Sequence, residues 1–270
     1  MKLALLGSPV LHSLSPAMHR AAFANVGLEG DYVARDVDSA AFSEAVEEIR
    51  SGVLHGANVT MPHKPAAYAA CDETSHRTVR VGAVNTLSLR NGLIVGDNTD
   101  IEGVRYAWRA AGLPPHEPVV ILGAGGAAAA ALVATTDQRQ YIVARRPNAA
   151  GDLVARTGVA AEVVAWGDPM PKGVVVNATS VGMRGEPLPQ DVVDAATGLL
   201  DMAYGDVPTP AVRLARDRGI PVADGLDMLV GQAAASFHIW TGVGVAASVF
   251  RIAAEEELLK RAGSGTRLEE

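Results

Sequence analysis

Residues 119–130 read VVILGAGGAAAA, and this short stretch decides the fold. Its β-branched start suits a strand, Gly123 and Gly125 a tight turn, and the alanines a helix. Gly123, Gly125 and Ala128 form a G-x-G-x-x-A array between strand and helix. Such glycines permit the turn and let the backbone approach a pyrophosphate, which then rests on the positive helix N-terminus. The surrounding residues 118–136 carry no charge. The change of character midway, and the weak hydropathy of Ala and Gly, argue against a membrane span.

Downstream, QYIVAR, AEVVAW, GVVVNAT, LLDMAY and IPVADG read as short apolar strands. Helices lie between several of them, including one at TPAVRLARDRG. Evenly spaced apolar strands of this kind predict a parallel sheet buried on both faces. At the end of the second strand an acid would hold a ribose 2′-hydroxyl, whereas a basic residue would accept a 2′-phosphate. Arg145 and Arg146 stand there, which favours NADP, with NAD as the alternative.

Upstream, KLALLG, DYVARDV and LHGANVT are predicted strands. Helices are expected from Ser15 to about Val26, over AAFSEAVEEIRSG with Gly52 as its C′ residue, and from PAAYAAC. NTLSLR and LIVGDN, joined by Asn91-Gly92, predict a β-hairpin. After Gly225 the chain reads as wholly helical, and 263–270 as a disordered tail. The expected class is therefore α/β with two domains. A mixed α/β substrate domain (1–100, completed by helices within 226–262) accompanies a Rossmann-type NADP-binding domain (101–225).

The 270 residues carry 23 basic and 30 acidic side chains, a net charge of −7, and a single cysteine, Cys71. There is no basic stripe for nucleic acid or an anionic membrane, and no disulfide framework. A soluble, cytoplasmic protein with small-molecule partners is expected. The seven histidines show no metal-ligand spacing and no serine sits in a G-x-S-x-G elbow, so metal hydrolysis and acyl-enzyme chemistry are unsupported.

The polar residues of the first half fall where strands end, which in open α/β sheets is the ligand crevice. Ser13 and Ser15 precede a helix. Capping accounts for Ser15, with Pro16 at the first helical position, but not for Ser13, and the two hydroxyls together suit a carboxylate. Asn58 and Thr60 share one face of a strand. Asn85 and Thr86 also fit a turn, and Asp100 also fits an N-cap. Lys64 precedes Pro65, expected at the first position of a helix. The positive end of that helix disfavours a charged amine, which gives nothing to a solvated lysine but suits a general acid/base.

Seven motifs taken together resemble the shikimate dehydrogenase family over about residues 3–255. They are SLSP (13–16), NVTMPHK (58–64), GAVNT (82–86), GDNTD (96–100), GAGGAA (123–128), NATSVGM (177–183) and DGLDMLVGQA (224–233). The resemblance implies reversible NADPH-dependent reduction of the C3 ketone of 3-dehydroshikimate to shikimate. It implies that Ser13 and Ser15 bind the substrate carboxylate and that Asn58, Thr60, Asn85, Asp100 and Gln232 hold ring hydroxyls. Tyr204 is implied at the substrate mouth, and Lys64 and Asp100 as the catalytic pair. Gly123, Gly125, Gly126, Ala127 and Ala128 are implied to cradle the cofactor phosphates, with Thr179, Ser180, Met183 and Gly225 on its nicotinamide side. The family's clamp for the 2′-phosphate usually reads N-R-T and then a further basic residue. Here Arg145 matches, Arg146 follows, and Ala149 stands where the second basic residue would fall. A quinate-accepting relative using NAD and a non-catalytic ligand sensor are the alternatives. Retention of both serines, and of Lys64 and Asp100, favours the first reading. The implied assembly is a monomer or homodimer.

Overall fold

The computed structural model describes residues 1–205 and 207–265. The chain divides into two units. One comprises Met1–Val79, Ala83–Thr99 and the chain from Gln232 onward; the other comprises Arg80–Gly82 and Asp100–Gly231.

In chain order the first unit holds β1 (Lys2–Gly7), α1 (Ser15–Val26), β2 (Asp31–Asp36), α2 (Ser39–Arg50), β3 (Gly56–Val59), α3 (Lys64–Ala70) and β4 (Glu73–Thr74). The short α4 (His76–Val81) follows, its last two residues counted with the second unit, then the hairpin β5 (Thr86–Arg90) and β6 (Leu93–Asp97). The sheet order is β2-β1-β3-β5-β6-β4. β1 pairs in parallel with β2 and β3, while β5 runs antiparallel to both β3 and β6. Asn91 and Gly92 both take left-handed backbone, φ 51° and 80°, as a two-residue hairpin turn requires. Asp38 caps α2 by accepting from the Ala41 N–H at 2.9 Å. Phe42, Ala45, Val46 and Ile49 then line its buried face at helical spacing.

The second unit begins with α5 (Asp100–Ala110), β7 (Val119–Leu122), α6 (Gly126–Ala134), β8 (Gln140–Ala144) and α7 (Pro147–Thr157). It continues with β9 (Ala161–Ala165), β10 (Gly173–Asn177), α8 (Gln190–Asp194), β11 (Ala196–Asp201), α9 (Pro210–Asp217) and β12 (Val222–Ala223). Its six strands are all parallel in the order β12-β11-β10-β7-β8-β9. Read from β9, this is the doubly wound dinucleotide-binding order, with the strand order reversing at β7. Every residue of β7 and β10 is buried. The uncharged 118–136 stretch is thus a core strand, a turn and a core helix. Among the described residues no helix is long and apolar enough to cross a membrane.

α10 (Gly225–Thr241) and α11 (Ala247–Gly265) complete the described chain. The helix reaches Gly265, so the expected tail is helical over its first three residues, 263–265; the remainder, 266–270, lies outside the described residues. Sequence reading also missed three short elements. β4 and α8 are too short for any period to register. α4 did carry a cue, since Ser75 Oγ accepts from the Thr78 N–H at 3.3 Å.

Candidate active site

The NVTMPHK corner is built in the first unit and held from below. Thr60 N–H donates to Leu6 O and His63 N–H to Thr60 O, both at 2.9 Å. The buried His63 ring stacks on Phe42 with centroids 4.8 Å apart, and its Nε2 lies 2.8 Å from Val37 O. His63 is therefore the N-cap residue of α3, Lys64 its first residue and Pro65 its second, one position later than expected. Lys64 is half-buried on a corner that cannot pivot without unstacking His63. Gly7, at the end of the neighbouring β1, leaves no room for a Cβ against Thr60 Cγ2 and Met61 O.

Asn58 opens into a polar cluster. Tyr32 Oη donates to its Oδ1 at 2.8 Å. Its Nδ2 lies 3.1 Å from Asn85 O, 3.0 Å from Thr86 Oγ1 and 2.9 Å from Ser236 Oγ. Asn85 Oδ1 accepts from the Thr99 N–H at 2.8 Å and from Thr99 Oγ1 at 3.1 Å. Asn85, Thr86, Thr99 and Ser236 are all buried. A buried network with its donors matched is rigid, so the half-buried Asn58 is presented in one orientation. Gln232 lies one turn before Ser236 on α10 and so shares its face. Tyr32, His63, Thr99 and Ser236 were missed by the sequence reading.

Ser13 and Ser15 exchange the parts expected of them. Leu14, not Ser15, is the N-cap residue of α1, and Ser15 is the first helical residue. Ser13 Oγ accepts from the Ser15 N–H and donates to Ser15 Oγ, each at 3.2 Å. The pair is brought together as expected, with Ser13 rather than Ser15 satisfying the helix end. Arg261 of α11 braces this turn by donating to His12 O at 2.8 Å and Ser13 O at 3.3 Å.

In the second unit, Asp100 is buried and is itself the first residue of α5, rather than the cap before it. Gly123 follows β7 at φ 112°, and a Cβ there would stand 3.0 Å from Ala178 O and 3.2 Å from Thr179 Cγ2. The loops after the adjacent strands β7 and β10 thus touch at the reversal of strand order. Gly125 is the N-cap residue of α6, without a side-chain cap, and opens on space that a Cβ would enter. Ala128 is fully buried, where a larger residue would part helix from strand. Arg145 and Arg146 follow β8 with exposed side chains. Ser180 is exposed and Met183 half-exposed, while the Thr179 hydroxyl turns inward to Asn177 Oδ1 at 2.6 Å. Gly225 has Tyr204 Cβ and Ala203 O so near that a side chain would displace them. This unit therefore fits a dinucleotide: a glycine turn at an uncapped helix N-terminus, arginines one strand away, and an open loop opposite.

Among the described residues no cluster of His, Cys, Asp and Glu could hold a metal ion. Burial, with Asp72 and Asp97 nearby, pushes the Cys71 thiol up to about 12, which removes it as a thiolate nucleophile.

Comparison with known proteins gives the same family from sequence and from structure. Residues 5–87 match the shikimate dehydrogenase substrate binding domain and residues 225–254 the shikimate 5′-dehydrogenase C-terminal domain. Shikimate dehydrogenase (NADP(+)) of Thermus thermophilus is 37% identical over 252 residues, 90% of this chain and 93% of that protein. The crystal structure of a Thermus thermophilus shikimate 5-dehydrogenase in complex with NADP(H) and shikimate superposes with a TM-score of 0.87 at 35% identity, covering 95% of this chain and 99% of that one. A 5-ketofructose reductase from Gluconobacter also superposes, with a TM-score of 0.85 at 28% identity over 95% of this chain and 98% of that one.

Proposed function

The chain belongs to the shikimate dehydrogenase family, and on that premise we propose that it interconverts 3-dehydroshikimate and shikimate with NADP(H). The observation that carries this reading is the likeness, over 95% of the chain, to a structure holding NADP(H) and shikimate together.

The chain's own residues divide the work. Ser13 and Ser15, with hydroxyls 3.2 Å apart, take the substrate carboxylate. Asn58 Oδ1, fixed by Tyr32, accepts a ring hydroxyl, and Thr60, Asn85, Asp100 and Gln232 hold the others, with Tyr204 at the mouth. The Gly123–Ala128 turn and the α6 N-terminus hold the pyrophosphate, Arg145 and Arg146 the 2′-phosphate, and Thr179, Ser180, Met183 and Gly225 the nicotinamide side. When bound, the cofactor supplies the hydride that reduces the C3 carbonyl. Lys64 gives its proton to the carbonyl oxygen as that oxygen gains charge, and in the reverse direction takes the proton from the C3 hydroxyl. Asp100 orients the amine and relays its proton. The lone cysteine fits a reducing, cytoplasmic setting, with a monomer or homodimer as the working assembly.

The deciding experiment follows reduced-nicotinamide absorbance while crossing shikimate and quinate with NADP and NAD, with 5-ketofructose and NADPH as a further arm. Turnover of shikimate with NADP is expected. No turnover of shikimate with either cofactor sinks the assignment. Quinate differs by a hydroxyl beside the carboxylate, and the close serine pair leaves it the poorer substrate.

Arg145→Ala should raise the KM for NADP by about tenfold, the value of one charge-assisted hydrogen bond discounted for exposure, and leave NAD nearly unaffected. Equal effects on the two cofactors would remove the 2′-phosphate role.

A further inference from the structure

β11 ends in a carboxylate that the proposed mechanism does not use. Asp201 is fully buried, and burial raises its carboxyl above the usual range, opposed by hydrogen bonds from Thr209, Ala203 and Asn177. Its Oδ2 accepts from Thr209 Oγ1 at 2.6 Å. Its Oδ1 accepts from the Ala203 N–H at 3.1 Å and from Asn177 Nδ2 at 2.8 Å. Burying a carboxylate is costly, and an apolar residue in its place would strand the three donors that Asp201 satisfies, so its role is not simple packing.

The carboxylate instead fixes the orientation of an amide. Oδ1 of Asp201 can only accept, so Asn177 must turn its NH₂ toward it. That NH₂ also donates to Val181 O at 2.9 Å. The amide oxygen is thereby left facing the Thr179 N–H at 3.2 Å and the Thr179 hydroxyl at 2.6 Å. With its proton committed there, Thr179 Oγ1 accepts from the Val181 N–H at 3.1 Å. Thr209 closes the far side. It caps α9, its Oγ1 accepting from the Val212 N–H at 3.2 Å, and it packs under Gly182, where a Cβ would stand 3.2 Å from it. Reversing the Asn177 amide would set NH₂ against two donors and its oxygen against two acceptors, and the loop would lose its single conformation.

We propose that Asp201, acting through Asn177 and Thr209, is a positioning residue that sets the Thr179–Met183 loop for the cofactor. The inference rests on the reading of that loop as the nicotinamide side of the site.

The test measures Kd for NADPH and, separately, for shikimate by tryptophan fluorescence, together with Tm. Asp201→Ala should weaken NADPH about tenfold, as expected for loss of a buried charged acceptor, and shift shikimate less than about twofold. Asp201→Asn keeps an oxygen for Asn177 and Ala203 and should recover most of the NADPH affinity. The proposal is overturned if folded Asp201→Ala binds NADPH like the parent, or if both ligands weaken by the same factor. Should Asp201→Ala not fold, Thr209→Val and Thr209→Ser decide. Valine should weaken NADPH about threefold and serine should not, because only serine keeps the donor; equal affinities overturn the proposal. A parent that binds NADPH but not shikimate would refute the proposed reaction and still leave the NADPH comparison decisive.

Discussion

Replacing Lys64 with alanine should lower kcat by about 10²-fold or more and leave the KM for shikimate within about threefold, as expected for loss of a general acid/base. Lys64 is the first residue of α3, on a corner pinned by His63 against Val37 O and Phe42. Those contacts are made by His63, so the corner should persist in the variant, and a Tm measured beside the kinetics separates any folding deficit from a chemical one. Lys64→Arg sharpens the test. It keeps a positive charge for holding an oxygen but cannot give up its proton near neutral pH, so it should resemble alanine in kcat. If instead KM rises with kcat intact, or arginine restores turnover, Lys64 is a binding residue and the proton comes from elsewhere.

The second unit was the more legible in sequence, for a physical reason. Strands buried on both faces are written as unbroken apolar runs, and the turn after Leu122 needs glycine because its neighbours in the β10 loop touch it. Those constraints are local and show in any window of a dozen residues. The candidate substrate site depends on pairings far apart in the chain. Tyr32 meets Asn58 across 26 residues and Ser236 meets it across 178. A tyrosine in a strand and a serine in an alanine-rich helix look ordinary by themselves, so neither could be singled out. Ser13 and Ser15 are an intermediate case. The motif announced a hydroxyl satisfying a helix end, but S-L-S-P accommodates a helix starting before or after Ser15. The choice was made by Ser13, which turns back to the Ser15 N–H. Asp201 stayed hidden because a strand-end aspartate looks solvated, whereas this one lies beneath the β10 loop.

Below neutrality the fold should lose stability through His19, and His19→Leu should abolish that part of the loss. His19 is fully buried in the first unit, stacked on Tyr32 with centroids 4.3 Å apart and surrounded by Phe237, Trp240 and Phe250. Neither ring nitrogen has a hydrogen-bond partner among the described residues. Burial lowers its pKa from 6.5 to about 3. The unfolded chain therefore takes up a proton as pH falls through 6.5, and the folded chain does not do so until about 3. With more protons on the unfolded state, stability falls with falling pH across that window by up to about 1.4 kcal/mol per pH unit, with a ceiling near ~5 kcal/mol. Leucine is of similar volume, has no titrating group and leaves no unpaired ring nitrogen, at the cost of the ring stacking. Its stability at neutral pH is then a balance of small terms, but its pH slope is not. Urea unfolding from pH 7 down to 4.5 should show the relative stability shifting steadily toward the variant, by up to about 1.4 kcal/mol per unit once well below 6.5. Parallel curves for the two proteins would mean that His19 already carries its proton in the fold, or finds a partner there, and the acid sensitivity would have to be assigned to other groups.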